Sequence, residues 1–202
     1  NFSNTVISNV GNMKNMGVEF NLNFIPIEKQ DMRWTINVNG TYQKTEITKL
    51  TNDDSTYLGV QTGANMGGTG GYTSLHRVGY APYTYYLYQQ AYDENGKAIQ
   101  NVLVDRDGDG SITEADRYVT GKSITPKFFF GLSSQFTYKK WDFGFNAHGS
   151  FGGYALNRIA MNNSSAFSDD YTKGYINNLS TNVLKTGWTR AISNEQKYSD
   201  MF

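Results

Sequence analysis

The chain has 202 residues, with 18 basic and 18 acidic side chains, so its formal net charge at pH 7 is zero. No Lys/Arg-rich run offers a seat for nucleic acid, and the absence of Cys excludes disulfides, thiolate metal sites and a cysteine nucleophile. Aromatics reach 15%, with 15 Tyr and 12 Phe, while Gly numbers 21 and Pro only 3, as expected of strands joined by polar, glycine-rich loops.

Asn1-Phe2-Ser3-Asn4 lacks the charged and apolar regions of a signal peptide. No run of about 18 apolar residues reads as a membrane helix. The first regular pattern sets Val18, Phe20, Leu22 and Phe24 against Glu19, Asn21 and Asn23. Successive side chains of a strand point to opposite faces, so this is a ribbon with one apolar and one polar side. After a charged connection from Glu28 to Arg33, its partner sets Trp34, Ile36, Val38, Gly40 and Tyr42 against Thr35, Asn37, Asn39, Thr41 and Gln43. The spacing predicts a first hairpin over about 18–45.

Residues 46–126 form a long insert. Within it, 62–71 read as a flexible or tightly turned glycine run. Tyr85 to Tyr92 and Lys97 to Val104 read as two strands around Asp93-Glu94-Asn95-Gly96, where Asn-Gly is a strong hairpin signal. A second membrane hairpin is expected over about 127–151. Phe128, Phe130, Leu132, Ser134, Phe136 and Tyr138 alternate with Gly131, Ser133, Gln135 and Thr137. Beyond the Lys139-Lys140 turn, Trp141, Phe143, Phe145 and Ala147 alternate with Asp142, Gly144, Asn146 and His148. A tilted strand of about ten residues crosses a bilayer. The predicted fold is therefore all-β, a fragment of a large transmembrane antiparallel β-barrel. Two membrane hairpins carry extracellular inserts at about 46–126 and 152–202. Trp34, Tyr138 and Trp141 flank the short turns and would form an interfacial girdle. After Phe151 the alternation ends, leaving one short helix expected near 172–185. Four strands cannot close a barrel, so the chain reads as cut within a loop.

The most specific chemical pattern is the twelve-residue stretch Asp105 to Asp116. Asp105, Asp107 and Asp109 occupy positions one, three and five, Gly110 position six, Ser111 seven, Thr113 nine and Asp116 twelve. That is the EF-hand spacing of oxygen ligands for Ca²⁺, with the shorter Asp at twelve as in extracellular calcium loops. The plain alternative is an Asp/Gly-rich surface turn. Tyr83, Tyr85, Tyr86 and Tyr88 could stack on ligand rings, although Tyr is also an ordinary strand residue. His76 and His148 belong to no zinc or nucleophile spacing, and no catalytic constellation stands out. An enzyme is not expected.

These motifs together resemble the SusC/RagA-like family of TonB-linked outer-membrane transporters of Bacteroidetes, in its C-terminal barrel part. Asn9-Val10-Gly11 through Asn15-Met16-Gly17-Val18-Glu19 is similar to that family's entry to a barrel strand. Val78-Gly79-Tyr80-Ala81-Pro82 with the Tyr-rich run, and Asp105–Asp116 leading through Gly121 to Pro126-Lys127-Phe128 and Gly131, resemble its next elements. Tyr138–Asp142 and Gly149–Gly152 resemble its following hairpin, and Trp188-Thr189 a loop motif. Ala81 departs from the family's usual residue before Pro82. The resemblance implies a barrel of about 22 strands filled by a plug, a SusD-like surface lipoprotein as lid, TonB engaged through a missing N-terminal region, and import of glycans or peptides. A secreted, calcium-stabilised β-sandwich that binds carbohydrate is the alternative, and the fate of the apolar faces separates the two.

Overall fold

The computed structural model describes residues 11–50, 57–66, 71–165 and 180–202. The chain divides into two compact units with interleaved segments. The first takes Asn1–Leu58, Arg77–Pro82 and Ser123–Tyr154, and the second Gly59–His76, Tyr83–Lys122 and Ala155–Phe202.

The first unit is one antiparallel sheet built from β1 (Asn12–Lys29), β2 (Met32–Lys49), β9 (Phe128–Tyr138) and β10 (Trp141–Phe151), in the order β1-β2-β9-β10. The two sequence-local hairpins are thus neighbours, joined through β2 and β9. The first hairpin is longer than its sequence suggests. Glu28 and Arg33, expected in the connection, are paired strand residues with their side chains 3.8 Å apart, and the turn shrinks to Gln30-Asp31. Between Phe24 and Ile27 β1 takes one more step than β2 does from Ile36 to Trp34. Pro26, which lacks an N–H, falls in this bulge, where a missing donor is tolerated.

Register aligns the apolar sets. Reading across the four strands, successive rungs of one face are Ile27–Trp34–Phe136–Phe143, Phe24–Ile36–Ser134–Phe145, Leu22–Val38–Leu132–Ala147, Phe20–Gly40–Phe130–Gly149 and Val18–Tyr42–Phe128–Phe151. Directly opposed residues share a face, and a slip of one position would turn the whole set over. The Phe20 ring lies 2.5 Å from where a Cβ on Gly40 would stand, and the Phe130 ring likewise covers Gly149. Glycine here lets the neighbouring ring lie flat on the strand. Phe130 and Phe151 stack at 5.6 Å. The single indole N–H in these rungs is satisfied, Trp34 Nε1 donating to Ser134 Oγ at 2.9 Å.

The opposite face reads Glu28–Arg33–Thr137–Asp142, Asn23–Asn37–Ser133–Asn146, Asn21–Asn39–Gly131–His148 and Glu19–Thr41–Phe129–Ser150. Thr41 donates to Glu19 at 3.1 Å and Thr137 to Asp142 at 2.7 Å. Phe129 is the exception to the alternation in this polar wall.

The second unit holds a sheet ordered β3 (Val60–Asn65), β4 (Tyr72–His76), β5 (Thr84–Leu87), β8 (Tyr118–Ser123), and a hairpin of β6 (Gln90–Tyr92) and β7 (Ala98–Leu103). Among the described residues three short helices follow: α1 (Arg158–Asn162), α2 (Asn182–Thr186) and α3 (Asn194–Lys197). Two expectations are corrected here. Part of the 62–71 glycine run is strand β3, while 67–70 lie outside the described residues. The stretch from Tyr85 to Tyr92 is two strands in different sheets, so only β6 pairs with β7. β8 carries no alternation of its own and is recruited by β5. The expected helix near 172–185 is described only from 180 on, as α2. The Asn-Gly turn holds: Asp93 Oδ1 accepts the amides of Asn95 and Lys97, with Gly96 at φ +73°. The core packs Met66, Tyr88, Leu103, Met161 and Tyr198 together, with Leu156 and Phe202 against them.

Candidate functional site

The Asp105–Asp116 loop folds around its own carboxylates. Asp105 accepts the amides of Gly108 at 2.6 Å and Gly110 at 2.8 Å, Asp107 that of Asp109, and Asp109 that of Ser111 at 2.7 Å. These bonds need a tightly reversing backbone, which Gly108 (φ +77°) and Gly110 (φ +84°) supply. One carboxylate oxygen from each of Asp105, Asp107 and Asp109 lies within 4.8 Å of the other two. The Asp109 amide draws the Asp107 carboxyl down. Desolvation and the carboxylates of Asp109 and Asp116 nevertheless leave it above the usual aspartate range.

Asp116 does a second job. Its two oxygens accept the amides of Arg106 at 2.6 Å and Thr113 at 2.8 Å, and Thr113 Oγ1 caps the short 3₁₀ helix Glu114–Asp116 by accepting from Ala115. These amides hold its carboxyl below the usual range. The structure therefore brings positions one, three and five together and uses position twelve to lock both ends of the loop. Each carboxylate oxygen keeps a lone pair beyond the N–H that it accepts, so the donor set fits a hard divalent cation. Ser111 and Thr113 lie in the same loop.

The loop is wired to the rest of its unit. Arg106 donates to Gln89 at 2.6 Å and lies 4.8 Å over the Tyr118 ring, and Tyr118 O–H donates to Asp200 at 2.5 Å. Burial and that acceptor push the Tyr118 phenol well above its ordinary pKa. On the other side Arg117, 4% exposed, stacks 4.1 Å from the Tyr86 ring and donates to the Tyr86 and Tyr72 carbonyls.

The tyrosine run is mostly interior. Tyr85, Tyr86 and Tyr88 are 8%, 7% and 1% exposed, whereas Tyr83 is 41% exposed and sits edge-on to His76 at 4.7 Å. Strand β5 is covered on both faces, so alternation could not reveal which tyrosines face out. Tyr85, Tyr86 and Tyr88 are packing residues, and of the four only Tyr83 is exposed. Phe129, which the sequence reading passed over, is 37% exposed on the polar face of β9. Its signal was the run Phe128-Phe129-Phe130, which breaks the alternation.

Comparison with known proteins agrees with this architecture. No family profile matches the chain. It is 37% identical to the TonB-dependent receptor SusC of Bacteroides thetaiotaomicron over 84% of this chain and 17% of that protein. Its identity to the TonB-dependent receptor P3 of Formosa agariphila is 26%, over 97% of this chain and 20% of the relative. The chain thus spans about a fifth of the length of the curated relatives it matches. Among solved structures, the RagAB peptide transporter superposes with a TM-score of 0.60 at 21% identity, over 80% of this chain and 18% of that one. The RagAB peptide importer in its closed-closed state gives 0.59 at 23% identity, with the same coverage. β1 and β10 are the open edges of this sheet, with no strand paired beyond either among the described residues. With four strands sharing one apolar face, the chain belongs to the SusC/RagA-like family of TonB-dependent receptors, as a segment of a larger transmembrane barrel.

Proposed function

We propose that this segment is part of the wall and outer vestibule of an outer-membrane importer that takes up glycans or peptides with a SusD-like surface lipoprotein and is driven by TonB. The observation that carries the reading is the rung register, which puts Trp141 (79% exposed), Phe143 (68%) and Phe151 (62%) on one uncovered apolar face. From Trp141 to Phe151 the strand rises about 34 Å, which at a barrel tilt of 35–45° matches an apolar band about 25 Å tall. A β-sandwich would bury this face within its own fold, so the exposed band favours the importer wall over a secreted carbohydrate-binding module. Both tight turns lie at one end of the sheet, as periplasmic turns do, so the inserts are assigned to the extracellular side. No catalytic role is proposed. A strain lacking the full receptor should lose growth on either a polysaccharide mixture or a peptide digest as sole carbon source. Undiminished growth on both would sink the importer reading.

Ca²⁺ is proposed as a structural ion of the loop. Asp105, Asp107 and Asp109 would supply carboxylates, Ser111 its backbone carbonyl, Thr113 its hydroxyl and Asp116 the closing carboxylate; the bound charge would relieve the repulsion that raises Asp107. Affinity of extracellular sites of this kind is about 10⁻⁴–10⁻³ M. Calorimetric titration of the full receptor in detergent should show Ca²⁺ binding that Asp105→Ala with Asp109→Ala removes. Equal heats from wild type and the double variant would leave only an Asx-rich turn.

A further inference from the structure

The rung nearest the two turns has chemistry that the rest of the apolar face lacks. It reads Lys29–Met32–Tyr138–Trp141 across the sheet. Lys139 and Lys140 follow in the second turn, and Lys139 Nζ lies 5.5 Å over the Tyr138 ring. The acids nearby are segregated from it. Glu28 and Asp142 belong to the polar face, where Glu28 lies 3.8 Å from Arg33 and Asp142 accepts from Thr137. Asp31 is the single acid in the turns themselves, against the three lysines.

We infer that this rim is a docking surface for anionic phospholipid headgroups of the leaflet on the turn side. The inference rests on the barrel-wall reading above. Lysine stems can lie along the apolar rung while their ammonium groups reach the phosphate level. Tyr138 and Trp141 hold the same depth, with one end of each ring apolar and the other polar. Cation–π contact with Tyr138 orients Lys139 instead of neutralising it, and an excess of positive charge at the interface favours anionic over zwitterionic lipid. The surface is continuous with the lipid-facing band, so its occupant is lipid.

The test uses the full-length receptor in nanodiscs of phosphatidylcholine alone and of phosphatidylcholine with phosphatidylglycerol. The wild-type Tm should be higher in the anionic discs, and Lys29→Gln with Lys139→Gln and Lys140→Gln should lose most of that gain while keeping the Tm in neutral discs. An equal gain in wild type and variant, or none in wild type, would overturn the inference. The same gain from inorganic phosphate added to neutral discs would overturn it too, by showing that a free anion suffices. Failure of the wild-type receptor to enter discs at all would instead break the barrel-wall reading.

Discussion

Replacing Leu132 by Arg should destabilise the barrel by about 2–4 kcal/mol, the cost of a cationic side chain at the bilayer midplane. Leu132 stands in the third of five apolar rungs, between Val38 and Ala147, so its side chain is as far from either interface as this wall allows. An arginine there has about 12 Å of apolar band on each side and no acid among the rungs beside it. Ser133→Arg is the matched control, because the next residue points to the polar face beside Asn37 and Asn146. Guanidinium unfolding of the full receptor in phospholipid vesicles reads both. A large loss for Leu132→Arg with a small one for Ser133→Arg assigns the two faces. Equal losses would mean that the apolar face is packed against protein, and the assignment of lipid to it would fail.

Much of this wall was legible in the sequence because its information is local. Period-two alternation names the face of every residue from Val18 to Phe24 and from Trp34 to Tyr42 without reference to any partner. The same rule stated the second hairpin, down to Lys139-Lys140 as its turn. Where the rule failed, the reason is physical. Glu28 and Arg33 look like a polar connection, yet a polar face accepts an ion pair as readily as a loop does, so strand and turn are indistinguishable by composition there. The order β2-β9 could not be read either, since the pairing of Val38 with Leu132 depends on a closure across the whole insert.

The second unit was far less legible. Its strands run from three to six residues, too short for periodicity to speak, and β5 is buried along its whole length. Its cohesion is also non-local and polar. Gln196, with no exposed surface, donates to Gln90 Oε1 at 2.8 Å and to the Ile99 carbonyl at 3.0 Å. Gln90 in turn donates to the carbonyls of Ala91, Ile99 and Val102. Such amides look like surface residues in a sequence, and only their satisfied burial reveals them as interior. The calcium-like loop lies between these extremes. Its spacing stated which acids converge, but not that Asp116 is already committed to two amides.

Trp188→Ala should then be the most costly single truncation in the second unit, at about 3–5 kcal/mol. The indole is 3% exposed, and its Nε1 donates to the Ala98 carbonyl at 3.0 Å, pinning the C-terminal segment to the start of β7. From there the segment runs beside β7. Asn101 Nδ2 donates to Ala191 O, the Ser193 amide donates to Asn101 Oδ1, and Asn101, at φ +58°, gives its own amide to Gln196. Removing the ring opens a cavity and strips the Ala98 carbonyl of its donor in one step. Hydrogen exchange of the full receptor should show protection falling in peptides covering 98–101 and 188–200, with β9 and β10 as internal references. Trp188→Phe separates the two contributions: it keeps most of the packing and loses only the hydrogen bond, at about 1–3 kcal/mol. If Trp188→Ala leaves exchange at 98–101 unchanged, the indole does not anchor this segment. Cohesion of the second unit would then rest on the Gln90–Gln196 amide network.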